Sequence, residues 1–221
     1  MPIQFLKKLE LFNGLTKEEL QEIKAIMQEK NFAKNEMIFM EGAEANNFYI
    51  ILTGLVKVFK TDEQGREKTL SLLGNKDFFG EMALLDNNSR SASVQAIDES
   101  KLFKISREKF KRLVTEYPEI SLKIIATLSQ RLRNSNQQIQ NLTFKKVKGR
   151  LLDSLKQLAD KYGVEQENGI LINKKITHQE LANLVGTTRA TITKLLGELA
   201  EENKLEMKDR YLILKNKADN N

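Results

Sequence analysis

The chain has 221 residues, 40% of them hydrophobic and 30% charged, with a net charge of +6. That suffices for two modest domains with their own cores and is ordinary for a soluble globular protein. With no cysteine and one histidine, iron–sulfur clusters, cysteine–zinc sites and thiol switches are excluded, and haem or multi-histidine metal sites lack their ligand sets.

No apolar run approaches the roughly 18 residues of a membrane helix. The opening MPIQFLKKLE has no signal-peptide core, so a cytoplasmic protein without membrane contact is expected. Thr16 and Glu19 have the spacing of a capping box ahead of Leu20, Ile23, Ile26 and Met27 on one face, which predicts a short amphipathic helix. From about residue 32 to 104 the pattern becomes short strands between turn residues. Residues 48–52 and 55–59 read as two strands around a tight turn at Thr53-Gly54. Residues 61–65 form a hairpin turn before a strand at 68–73, a further turn spans 74–77, and strands follow at 93–97 and 101–105. Short strands at this spacing predict a small barrel or sandwich.

Inside that region, Phe79-Gly-Glu-Met-Ala-Leu-Leu85 and Arg90-Ser-Ala-Ser93 form a candidate phosphate site. Gly80 lets backbone approach a ligand, and Met82 to Leu85 can make one helical turn whose N–H groups face an anion. Arg90 can grip a phosphate with both arms of its guanidinium, Ser91 adds a hydroxyl, and Glu81 is an acceptor suited to sugar hydroxyls. The plainer reading of these residues is a surface ion pair.

Ser106 introduces a short helix with Phe110 and Leu113, and Pro118 is placed to start a long one. Ile125, Leu128, Leu132, Ser135, Ile139 and Leu142 follow the alternating three- and four-residue steps of a coiled-coil seam, so this helix, roughly 40 Å long, should pair with a second copy of itself. Ser135, with Asn136 beside it, is the polar break. It either fixes register at a dimer interface or opens the seam onto a bound polar molecule. A basic connector, KKVKGR, leads to a helix with Leu151, Leu152, Leu155 and Leu158, and residues 163–170 read as a polar loop.

Thr177 to Leu199 has the pattern of a helix–turn–helix. Thr177 and Glu180 form a second capping box, Leu181, Leu184 and Val185 an apolar stripe, and Gly186 the turn. Thr187 or Thr188 can cap a second helix buried through Ile192, Leu195, Leu196 and Leu199. Arg189, Ala190, Thr193 and Lys194 then face outward near the end that enters the major groove, where Arg is the commonest reader of guanine. An ordinary helical hairpin is the alternative. His178 reads as a solvent-facing first-turn residue. Residues 145–221 carry fifteen Lys/Arg against eleven Asp/Glu, which suits phosphate contact. Residues 205–214 look like a hairpin turning at Lys208-Asp209-Arg210, the wing of a winged motif, and the tail KNKADNN reads as loose.

From about residue 10 to 215 the chain resembles the cyclic AMP receptor protein / fumarate–nitrate regulator (Crp/Fnr) family of bacterial transcription factors. The segments GEMALLDNNSRSAS, NLTFKKVKGRLL and ITHQELANLVGTTRATITKLL carry the match. The resemblance implies an α+β architecture. A cyclic-nucleotide-binding-type β-roll occupies residues 1–116, a dimerisation helix 117–145 and a winged helix–turn–helix DNA-binding domain 146–221. It implies an effector site of Gly80, Glu81, Met82, Arg90 and Ser91, completed by Ser135 and Asn136 against the adenine from the two subunits. It implies a dimer interface of Ile125, Leu128, Leu132, Ile139 and Leu142, and DNA contacts from Thr188, Arg189, Ala190, Thr191, Thr193 and Lys194. Ala190 stands where the family usually has a Glu accepting from cytosine, a loss that changes base choice by about 1–3 kcal/mol at that step.

The expected protein is a homodimeric regulator, not an enzyme. It binds a near-palindromic duplex, contacts RNA polymerase and has no tightly bound cofactor, with cyclic AMP or a related nucleotide as effector. TTRATITKLLGEL also resembles the cyanobacterial global nitrogen regulator, which makes 2-oxoglutarate the alternative effector. A carboxylate at Glu81 disfavours that dianion. Constitutive DNA binding with a vestigial pocket is the third reading.

Overall fold

The computed structural model describes residues 3–215. The described residues form two compact units, 3–65 with 70–135, and 66–69 with 136–215.

The first unit opens with α1 (Ile3–Leu6), a 3-10 turn (Glu10–Phe12) and α2 (Lys17–Ile26). The first capping box is present: Thr16 Oγ1 accepts from the Glu19 amide at 3.2 Å, and Glu19 Oε2 accepts from the Thr16 amide at 2.7 Å. Two four-stranded sheets follow. One has the order β1 (Gln28–Phe32), β8 (Ser100–Ser106), β3 (Asn47–Thr53), β6 (Phe78–Phe79). The other has the order β2 (Met37–Phe39), β7 (Ser93–Ala96), β4 (Leu55–Thr61), β5 (Glu67–Gly74). The single turn α3 (Met82–Leu85) lies between β6 and β7, and α4 (Arg107–Glu116) leads into α5 (Pro118–Phe144).

Strand β3 explains the apolar run at its centre. Phe48, Ile50 and Leu52 face a core shared with Leu20, Ile23, Phe110, Leu113 and Ile124, while Tyr49 and Ile51 face a second core with Val56, Phe79 and Val94. A strand buried on both faces carries no polar alternation. Phe48 stacks on Phe110 with centroids 4.7 Å apart. Phe48→Ala is expected to destabilise this unit by about 3–5 kcal/mol, read as a lower urea midpoint.

The strands at 48–52 and 55–59 exist but do not pair, because the chain passes from one sheet to the other between them. Gly54 makes the crossing at φ +105°, and a Cβ there would meet Ser100 Oγ at 2.2 Å and Ser100 Cα at 2.6 Å. β4 instead pairs with β7 and neighbours β5 across the predicted turn at 61–65.

In the second unit, α6 (Val147–Tyr162) buries Leu151, Leu155 and Leu158. It begins at Val147, so the expected six-residue connector is reduced to Lys145 and Lys146. Lys and Arg are good helix formers and do not by themselves interrupt a helix. The expected loop at 163–170 is a hairpin, β9 (Gly163–Gln166) with β10 (Gly169–Ile172). All four β9 residues are exposed, so the strand lacks the alternation that would reveal it. The helices α7 (His178–Val185) and α8 (Arg189–Glu201) follow, then β11 (Leu205–Lys208) and β12 (Tyr211–Lys215). These last strands turn at Asp209-Arg210 with φ of 50° and 68°, the geometry of a tight hairpin. The order β11-β12-β10-β9 makes the wing a four-stranded sheet. Of the tail KNKADNN, Lys215 closes β12, and residues 216–221 lie outside the described residues.

Candidate functional site: a buried anion cradle and an exposed recognition helix

The β6–α3 turn positions the first site. Gly80 has φ +82°, and a Cβ there would meet Arg90 Nη1 at 2.8 Å and the Asn47 carbonyl oxygen at 3.2 Å. The turn after it buries Glu81 and Arg90, only 1% and 4% exposed. They are not a surface ion pair.

Arg90 donates from Nη1 to the Gly80 carbonyl at 2.8 Å and from Nη2 to the Asn47 carbonyl at 2.6 Å. Its guanidinium carbon sits 4.1 Å above the Phe39 ring. Tyr49 and Phe79 stack beside it, centroids 5.2 Å apart, and Phe39 lies 5.8 Å from Phe79. Burial pulls the Arg90 pKa down, while Tyr49 and Glu81 oppose that shift. Burial raises the Tyr49 pKa, against the opposing pull of Arg90 and of a hydrogen bond with Asn47. Glu81 Oε1 accepts from Arg131 Nη1 at 2.8 Å. Arg131 also donates to the Phe78 carbonyl and lies over the Phe78 ring at 5.1 Å.

Two buried side-chain atoms here have no partner: Glu81 Oε2 and Arg90 Nε. Native interiors seldom leave such atoms unpaired, so one open acceptor and one open donor fit a ligand with hydroxyls and an anionic group. Ser91 Oγ lies 4.0 Å from Met82 Sδ at the exposed rim, so the structure brings together Gly80, Glu81, Met82, Arg90 and Ser91. Sequence reasoning missed Arg131, Asn47 and Phe39. Arg131 was findable, because it precedes Ser135 by four residues and therefore shares its helix face. Ser135 and Asn136 are exposed on α5. Among the described residues, no group of three or more His, Cys, Asp or Glu is arranged to hold a metal.

Along α5, Leu122, Ile125, Leu132 and Ile139 are 57–65% exposed, and Leu142 is also exposed. Leu128 departs from the expected seam: it is half-buried against the core behind β3. Leu122 takes its place on the apolar stripe.

In the second unit the capping box at α7 is complete, Gly186 ends that helix in the left-handed conformation, and Thr188 Oγ1 caps α8 by accepting from the Thr191 amide. Arg150 donates to the carbonyls of Val185 and Gly186, each at 3.2 Å, and Lys68 donates to that of Leu184. Two cations thus meet the negative end of α7. Burial lowers the Lys68 pKa, and Arg150 adds to the shift. Ile192, Leu196 and Leu199 are buried; Thr188, Arg189, Ala190, Thr193 and Lys194 are exposed, with Thr191 half-buried. His178 is not simply solvent-facing: it is half-buried, with Nδ1 2.8 Å from Thr193 Oγ1.

The first unit thus holds a buried polar site in a β-roll, and a long helix leads to a winged helix–turn–helix. Residues 29–117 match the family model of the cyclic nucleotide-binding domain, and residues 149–218 that of the Crp-like helix-turn-helix domain. The chain is 34% identical over 197 residues to the cyclic AMP receptor protein of Thermus thermophilus, spanning 89% of this chain and 88% of that protein. It is 32% identical over 187 residues to a global nitrogen regulator of Nostoc, spanning 84% of each. Its structure resembles that of a CooA variant from Carboxydothermus hydrogenoformans, with a TM-score of 0.78 at 26% identity over 94% of this chain and 91% of that one. The chain belongs to the Crp/Fnr family of DNA-binding transcription regulators, and is not an enzyme. No helix among the described residues is long and apolar enough to cross a membrane.

Proposed function

We propose that this regulator is a cytoplasmic homodimer that binds cyclic AMP or a related cyclic nucleotide and, when loaded, binds a near-palindromic operator and contacts RNA polymerase. The observation that carries the effector reading is the unpartnered buried pair, Glu81 Oε2 and Arg90 Nε. Glu81 would accept from the ribose 2′-hydroxyl and Gly80 hold the sugar by its backbone. Arg90 and Ser91 would take the cyclic phosphate, with Met82 at the rim. Ser135 and Asn136 would meet the adenine from the two subunits.

Charge favours a monoanion. Arg90 and Arg131 against Glu81 leave one net positive charge, which balances a cyclic phosphodiester better than a dianionic keto acid. The stripe of Ile125, Leu132, Ile139 and Leu142, with Leu122, supports pairing through α5. A dimer of this kind would set two α8 helices about 34 Å apart. Ligand would act by population shift, favouring the arrangement whose spacing matches DNA.

Calorimetric titration of the full chain with cyclic AMP, cyclic GMP and 2-oxoglutarate tests the reading. One cyclic AMP per chain, with tighter operator binding at fixed salt, is expected. Binding of 2-oxoglutarate alone, or equal operator affinity with and without every ligand, would reject it.

A further inference from the structure

One outward residue of α8 has its polar group already committed. Thr193 is exposed, yet its Oγ1 donates to the Arg189 carbonyl at 3.0 Å and lies 2.8 Å from His178 Nδ1. A hydroxyl has one hydrogen. With that hydrogen on Arg189, the contact to His178 requires Nδ1–H to be the donor, in the neutral ring and in the imidazolium alike. Thr193 therefore has no proton to give a base edge, and its methyl is the group left for an incoming duplex. Ala190, three residues earlier and also exposed, presents a second methyl on the same helix face. Arg189 and Lys194 flank the two.

We propose that Ala190 and Thr193 form an apolar reader of thymine C5-methyl groups, next to the base taken by Arg189. The proposal rests on the reading of α8 as the helix that enters the major groove. Thymine alone carries a methyl on that edge, and alanine and threonine methyls are suited to it. His178 acts through Thr193 as a positioning residue, since its N–H holds the hydroxyl against the helix. One Thr193 lone pair stays open, so the competing role is acceptance from an adenine or cytosine amino group.

The test uses an operator selected from a random duplex library by the full-length chain, remade with deoxyuridine for each thymine in turn. That exchange removes only the methyl. About a fourfold loss of affinity is expected at one or two positions in each half-site, the effect of one buried methyl. Thr193→Ser, which keeps the hydroxyl, should erase the penalty at its position; Thr193→Val, which keeps a methyl, should preserve it. Ala190→Gly should erase the other. Equal affinity for thymine and deoxyuridine duplexes, or a penalty that survives Thr193→Ser and vanishes in Thr193→Val, overturns the proposal. Arg189→Ala in the same assay separates the underlying reading. If that variant keeps every base preference of the parent, α8 is not the reader. If its guanine preference disappears while deoxyuridine is silent throughout, the methyl assignment alone falls.

Discussion

Replacing Arg90 by leucine is expected to abolish effector binding, with affinity for cyclic AMP falling by about a hundredfold or more in a calorimetric titration. Two effects add. Under the proposed function a cyclic phosphate would lose its charge-assisted donor, and the carbonyls of Gly80 and Asn47 lose the guanidinium that donates to them. Both carbonyls belong to half-buried residues, and one left without a donor costs at most roughly 1–3 kcal/mol, so the variant should also unfold at lower urea. Arg90→Lys separates the two effects: it restores the charge but not the planar fork that reaches both carbonyls. It should recover part of the stability and little of the affinity. Parent-like affinity in Arg90→Leu would remove the cyclic phosphate from this site.

The second large effect is expected from Leu132→Glu combined with Ile139→Glu. Both side chains are more than three-fifths exposed on α5, so the changes leave each unit's own core intact and its unfolding little altered. Carboxylates in place of two apolar side chains would face one another across a paired helix, repel, and resist burial. Sedimentation should report a single chain where the parent reports two. Operator affinity should fall on the order of 10²–10⁴-fold, because two half-sites are no longer gripped by one tethered pair. A variant that sediments as the parent does would place the subunit contact elsewhere.

Much of this molecule is legible from local chemistry. The capping boxes at Thr16 and Thr177 and the turn at Gly186 each involve residues a few positions apart, so spacing alone reveals them. The grouping of Gly80, Glu81, Met82, Arg90 and Ser91 was also readable, because one short segment supplies them. What escaped depends on distance along the chain or on lost contrast. Strands β3 and β4 look like a hairpin in one dimension, but the close approach of Gly54 to Ser100 belongs to residues 46 positions apart. Strand β9 is exposed throughout and carries no alternation to read. Heptad spacing puts Leu128 on the α5 stripe, because spacing cannot tell which side of a long helix meets its own barrel. Arg131 was overlooked for the same reason that it matters: its partner, Glu81, lies 50 residues away.

The bare leucine and isoleucine side chains along α5 also bear on how the protein responds to heat. If a second chain covers them in the native state, unfolding releases two molecules from one, and dilution favours the separated products. The melting temperature should therefore climb as protein concentration is raised across decades, whereas the Leu132→Glu/Ile139→Glu chain should melt at one temperature however dilute. For a regulator of this build, cellular abundance would set structural robustness as well as promoter occupancy.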